Sequence, residues 1–303
     1  MSQAAVAIVS HDAGGAEILS SWLRRNPVPC KLVLEGPAAK IFARKLGHRT
    51  LVCLEEALQG AASILCGTSW QSDLEWRALG LARARGTHAV AFLDHWENYR
   101  ERFERAGKTH LPDEIWVADV YAERIAQEVF GTIPVRMMGN PYLDDIRAEI
   151  AAQRSGDTVP HEGCVVLYIC EPVREHALKQ HGNERHWGYV EEDVLDYFLE
   201  NSSAVAPDIA RIVVRPHPSE APDKYRWVSQ KTRIPVEFSG SRTLVEDLAL
   251  ADIVVGTESM ALVVALLAGK RVVSAIPPGG RRCVLPQEGI EKLRDRFREA
   301  GGR

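Results

Sequence analysis

Two strings in the last third of the chain combine residue types that meet negative charge. Arg215-Pro216-His217-Pro218 ends a β-branched run, and further on Gly256-Thr257-Glu258-Ser259-Met260 opens an apolar helical stretch that closes on Gly269-Lys270 before another β-branched run. A strand, a polar turn and an apolar helix in that order aim backbone N–H groups and the positive end of a helix dipole at whatever lies above the strand ends, and the usual occupant is a phosphate. Gly256, Thr257, Glu258, Ser259 and Met260 are therefore expected at an anion site. Arg215 and His217 stand at a strand end of the kind where α/β domains collect ligands. The plainer alternatives are a rigid loop exit at Arg215–Pro218 and an ordinary Thr/Ser helix cap at 257–259.

Near the other end, His11, Asp12, Gly14 and Gly15 follow the apolar run AVAIVS and precede a helical pattern over 16–25. Paired glycines let a backbone approach a ligand closely. His11 and Asp12 supply titratable groups there, or only shape and cap the turn. A second polar cluster, LDHWENYRERF (93–103), crowds Asp94, His95, Trp96, Glu97, Asn98, Tyr99 and Arg100 together after another strand-like run. Such density suits an acceptor site or an acid–base group; the alternative is a loop whose Trp96 and Tyr99 pack on its own base. His176, His181 and His186 are spaced so that they do not share one helical face, and no metal is expected there.

The elements that must position these residues alternate along the whole chain. AVAIVS (5–10), KLVLEG (31–36), SILCGT (63–68), HAVAFL (88–93), EIWVA (114–118) and PVRMMG (134–139) read as strands separated by helical patterns. A helix over 142–154 then runs into SGDTVPHEG (155–163), whose Gly, Pro and polar residues predict a linker with a hinge near residue 160. A second series follows: CVVLYIC (164–170), RIVVRP (211–216), PVEFSG (235–240), DIVVGT (252–257) and RVVSAI (271–276), with a buried core helix at 260–268 and a charged amphipathic helix in PQEGIEKLRDRFREAGG at the end. This βαβ rhythm predicts an α/β fold of two doubly wound Rossmann-like domains with a cleft between them, over 1–155 and 164–303.

A length of 303 residues suits two domains that each bury a core. A net charge of −4 and a pI near 6.2 offer no broad basic surface, which argues against a nucleic-acid partner. Cys30, Cys53, Cys66, Cys164, Cys170 and Cys283 form no CxxC pair, as expected of reduced thiols in the cytoplasm. The start MSQAAVAIVSHD has no signal-peptide pattern and no stretch is long enough to span a bilayer, so any membrane contact is expected to be peripheral.

Taken together, two parallel-sheet domains, the loop SHDAGGAE, the MGNPYLDDI segment near the crossover and the Thr-Glu-Ser helix start resemble the GT-B superfamily of nucleotide-sugar glycosyltransferases and UDP-sugar 2-epimerases. The His-Pro of RPHP is similar to a motif of bacterial sialyltransferases and capsule Kdo transferases. That resemblance implies that His217 contacts the phosphate of a CMP-activated sugar, assisted by Ser259 and Thr257. It also implies a donor half at the C-terminus, an acceptor half at the N-terminus, and neither cofactor nor metal. UDP-sugar members commonly place a glutamate within the C-domain helix, where this chain reads ALVVALL, so CMP-linked nonulosonic or ulosonic acids are favoured over UDP-hexosamines. The epimerase pattern His-Arg-x-Glu-Asn is replaced here by ICEPVREH, which ranks epimerase below transferase.

Sugar transfer from a nucleotide leaves negative charge on the departing phosphate, which a helix N-terminus, hydroxyls and a cationic side chain can meet without a metal. An inverting transfer also needs a general base for the acceptor hydroxyl, and Asp12, His11 or Asp94, with His95 beside it, is placed to act as one. Glu171 and Arg174, just past a strand end, are positioned for the base or ribose, and Arg281 and Arg282 in PPGGRRC for a phosphate or carboxylate. The expected activity is transfer of a sugar to a glycan-type acceptor in surface-polysaccharide or glycoconjugate synthesis. The alternatives are a UDP-sugar 2-epimerase, a nucleotide-sugar hydrolase, or a binding module that has lost catalysis.

Overall fold

The computed structural model describes residues 5–69, 72–154 and 163–297. The chain divides into two compact units, Met1–Asp145 and Ile146–Arg303. The division falls inside one helix, Pro141–Arg154. Its first turns belong to the first unit, where Asp145 accepts hydrogen bonds from Ser21 (2.6 Å) and Arg25 (2.5 Å). Further along, Ile150 and Gln153 line a small cavity of about 70 Å³ with Val245 and Leu248 of the second unit. The hinge expected near residue 160 lies outside the described residues.

The first unit contains β1 (Val6–Ser10), β2 (Cys30–Leu34), β3 (Ser63–Cys66), β4 (His88–Leu93), a two-stranded hairpin β5 (Glu104–Arg105) and β6 (Lys108–Thr109), then β7 (Glu114–Val117) and β8 (Val135–Met137). Its sheet runs β2-β1-β3-β4-β7-β8 with every pairing parallel. Central strands buried on both faces need apolar residues at every position rather than at alternate ones. Ala7, Ile8 and Val9 accordingly have no exposed surface. Helices on the faces supply the cover: in Ala13–Arg25, Ala16, Ile18, Leu19 and Leu23 are buried, and the basic Arg24 and Arg25 sit in the last turn, where they complement the helix dipole.

The second unit contains β9 (Cys164–Ile169), β10 (Ile209–Arg215), β11 (Val236–Phe238), β12 (Ile253–Gly256), β13 (Arg271–Ser274) and β14 (Ile290–Lys292), ordered β11-β10-β9-β12-β13-β14 and again parallel throughout. The fold class is thus α/β with two Rossmann-like units. In each sheet the winding reverses once, between β1 and β3 in the first and between β9 and β12 in the second. Ligands of open α/β sheets bind at the carboxyl ends of the strands at such points.

Two expectations need correcting. The charged terminal segment is not a helix over its described part: Ile290–Lys292 adds the edge strand β14, and Leu293–Phe297 forms a 3₁₀ turn. The open edge of β13 gives that backbone partners, Glu291 pairs with Arg271 at 2.7 Å, and Ile290 and Leu293 are buried. The helix read from residue 16 begins at Ala13, so Gly14 and Gly15 lie within its first turn. The hairpin β5–β6, which the sequence pattern did not suggest, turns on Ala106 and Gly107, both at positive φ, as a two-residue hairpin loop requires. Among the described residues no helix is long and apolar enough to cross a membrane, and all six cysteines are free.

Candidate functional site

At the reversal point of the first sheet, the end of β1 carries His11 and Asp12. Asp12 stands at the N-cap of Ala13–Arg25 but makes no side-chain cap bond; its Oδ1 lies 2.7 Å from His11 Nδ1 instead. A carboxylate only accepts, so Nδ1 carries the imidazole proton and Nε2 keeps its lone pair. The pair is about one-fifth exposed. The ring lies against Gly36, which has φ +52° and where an added Cβ would sit 2.6 Å from Nε2. A residue with a side chain there would displace the imidazole.

Beneath this pair lies Glu75, in the first turn of the helix Leu74–Arg85, a residue that the sequence reading did not single out. Its Oε1 accepts the backbone N–H of His11 at 2.7 Å, while Oε2 and the nearby Ser10 hydroxyl are buried with no hydrogen-bond partner. Glu75 is 2% exposed, and burial raises its pKa to about 7. The signal in the sequence was slight: one glutamate, remote from His11, opening a helix after a Gly-Thr-Ser loop.

The paired glycines serve packing. An added Cβ on Gly14 would meet Asp94 Oδ2 at 2.0 Å, and one on Gly15 would meet the Gly67 backbone at 3.2 Å. Asp94 is therefore brought beside Gly14, but Arg102 donates to its Oδ1 at 2.6 Å and to the carbonyl and hydroxyl of Thr68 at 2.9 and 2.8 Å. An anchored ion pair suits a structural tie better than a free base, so of the base candidates His11–Asp12 has the more suitable geometry. His95 is partly exposed, 3.9 Å from Glu97. The loop around it packs inward: Trp96 donates to Asp119 at 3.0 Å, Tyr99 stacks on Phe130, and Phe103 meets the Phe130 ring edge-on.

In the second unit, Glu171 and His176 follow β9, His217 follows β10, and Thr257, Glu258 and Ser259 follow β12. These three strands are neighbours in the sheet. The backbone N–H of Ser219 donates to His217 Nδ1 at 3.2 Å. Nδ1 is then the acceptor, and the proton resides on Nε2 as a donor for a ligand. His176 stands edge-on to this ring at 6.5 Å between centroids. Burial lowers the pKa of both histidines, which favours their neutral forms.

Ser259 caps the helix Met260–Leu267 without a side-chain cap bond, and its hydroxyl is buried and without a partner. Thr257 donates its hydroxyl to Glu171 Oε2, which also accepts the Glu258 N–H at 3.3 Å. Gly256 serves packing, since an added Cβ would lie 3.1 Å from the Ile169 carbonyl and 3.2 Å from Leu262.

The expected cations are largely committed elsewhere. Arg215 donates to Asp247 at 2.7 Å and to Ser239 and the Arg242 carbonyl at 2.8 Å. Arg174 pairs with Glu184 and Glu192, both at 2.9 Å. Arg281 bonds Glu258 at 2.9 Å and lies over the Trp187 ring, 4.4 Å from its centroid, while Glu258 also accepts the Val284 N–H at 3.1 Å. Arg282 is exposed. At the ends of β10 and β12, the helix start at 259–260, the Ser259 hydroxyl and His217 Nε2–H remain available to an anion. Among the described residues no three His, Cys, Asp or Glu side chains gather as a metal site.

No family model matches the chain, and no curated protein matches it in sequence. Among solved structures, the UDP-GlcNAc 2-epimerase from Methanocaldococcus jannaschii aligns with a TM-score of 0.57 at 11% identity, over 89% of this chain and 83% of that one. A glycosyltransferase from Rickettsia africae ESF-5 aligns at 0.53 with 9% identity, over 90% and 79%. The glycotransferase of kitacinnamycin aligns at 0.50 with 12% identity, over 99% and 90%. At these identities the likeness is one of fold: two successive Rossmann-like units.

Proposed function

We propose that the chain is a GT-B-type glycosyltransferase that moves a sugar from a nucleotide sugar to a glycan-type acceptor, without a metal. CMP-linked nonulosonic or ulosonic acids are favoured as donors over UDP-hexosamines. The observations that carry this reading are two donors at the carboxyl ends of β10 and β12, the strands on either side of β9. His217 presents Nε2–H at the end of β10, and the helix Met260–Leu267 starts at Ser259 with a hydroxyl that has no protein partner. Breaking the bond from the anomeric carbon to phosphate leaves its electron pair on the phosphate oxygen, and preorganised donors stabilise that charge. The helix Met260–Leu267 lacks the glutamate that UDP-sugar members of the superfamily it resembles commonly carry there, and that departure is what ranks CMP ahead of UDP.

In this proposal the first unit holds the acceptor. His11 Nε2 takes the proton of the attacking hydroxyl, and Asp12 holds the ring in the required tautomer and stabilises the imidazolium that forms. The test is a turnover assay with CMP- and UDP-sugars, with and without glycan acceptors. Acceptor-dependent nucleotide release is expected, and H11A is expected to lower kcat roughly 100-fold or more with donor affinity unchanged. Release at full rate without acceptor would identify a hydrolase. Exchange of a sugar C–H in heavy water would identify an epimerase, and either result sinks the proposal.

A further inference from the structure

The carboxylate of Glu171 occupies the donors at the reversal point of the second sheet. Its Oε2 accepts the Thr257 hydroxyl and the Glu258 N–H, both in the turn that leads into the helix Met260–Leu267. Under the proposed function, that turn receives the donor phosphate. An ionised carboxylate held by Thr257 and Glu258, the residues just before the Ser259 hydroxyl and the helix start, would repel a phosphate bound there across a partly buried site.

We propose that Glu171 is an internal counter-anion of the phosphate site, and that nucleotide binding neutralises it by taking up one proton. The inference rests on the nucleotide-site reading of residues 257–260. The surroundings of Glu171 favour the neutral form. Burial is the largest cause and the Glu258 carboxylate adds to it; the Thr257 and Glu258 hydrogen bonds and the Arg281 guanidinium oppose both, leaving a pKa of about 7. Tyr168 of β9 and Tyr189 also face it, and burial raises the pKa of both phenols, so neither adds charge near neutral pH. Glu171 is thus poised to accept a proton when a second anion arrives.

The measurement is calorimetric titration of CMP and UDP at pH 8 in two buffers of different ionisation enthalpy, with affinities followed from pH 7.5 to 9.5. Phosphate monoesters are already dianionic in that range, with a second pKa of about 6. Uptake of about one proton is expected, with Kd rising up to roughly tenfold per pH unit. E171Q keeps an acceptor for Thr257 and cannot ionise; it is expected to bind without proton uptake and up to about 100-fold more tightly than wild type at pH 9.

Wild-type binding without proton uptake overturns the inference, and so does a pH slope that survives in E171Q. Should E171Q not fold, the two-buffer comparison on the wild-type protein still decides. Absence of binding by either nucleotide at every pH would instead remove the nucleotide-site reading itself.

Discussion

Gly14 and Asp94 show at the scale of single residues why a glycine-rich loop need not be a ligand cradle. The Asp94 carboxylate fills the space that a Cβ on Gly14 would take, and Arg102 holds it there. G14A is expected to destabilise the protein by about 1–3 kcal/mol through overpacking, which outweighs the roughly 1 kcal/mol that alanine gains over glycine in a helix. Chemical denaturation of G14A alone and in a D94A background checks this. The cost should vanish in the double variant, and an equal cost in both backgrounds would contradict the contact. The types of the site residues were legible in the sequence, His11, Asp12, His217 and Ser259 among them. Which atoms stay available was not, because Ser239 and Asp247, the partners of Arg215, are supplied by segments that no local pattern connects to it.

At the scale of elements, each sheet places a glutamate where its winding reverses, the buried Glu75 in the first and the partly exposed Glu171 in the second, and burial raises the pKa of both to about 7. A carboxyl whose folded pKa lies above its unfolded value of 4.5 binds more protons folded than unfolded. Its contribution to stability is present in full below pH 4.5 and is lost as the pH rises to about 7. At about 1.4 kcal/mol per pH unit of separation this amounts to roughly 3 kcal/mol for Glu75, an upper figure for a site that can relax. E75Q should therefore be more stable than wild type at pH 8 and should remove part of the decline between pH 4.5 and 7, with Glu171 accounting for more of it. Thermal unfolding across that range checks the sign; an E75Q protein with an unchanged pH profile would contradict it. The strands themselves were legible because runs such as Ala7–Val9 and Ile253–Val255 are buried on both faces and must be apolar throughout. The edge strand Ile290–Lys292 was not, because its charged residues carry a helical pattern and only the neighbouring Arg271–Ser274 strand recruits them.

At the scale of the whole molecule, the two strand orders decide where chemistry can be placed. Both sheets are wholly parallel and reverse once, so candidate residues from distant parts of the chain converge on two loop clusters, one in each unit. The alternation of strand and helix patterns along the sequence encodes this architecture. The order of strands within each sheet depends on long-range pairing, and no single segment encodes it. The central claim is that the second cluster binds the phosphate of a nucleotide through His217 Nε2–H and the start of the helix Met260–Leu267. It is tested most directly by a thermal-shift titration of wild type and H217A with CMP, CDP, UDP, GDP and ADP, because a ligand that binds only the folded state raises Tm by mass action. The account predicts stabilisation of wild type by CMP ahead of UDP. In H217A the affinity should be weakened by about 10- to 100-fold, the worth of one hydrogen bond to a charged group. Equal stabilisation of both proteins, or none by any nucleotide, would contradict it.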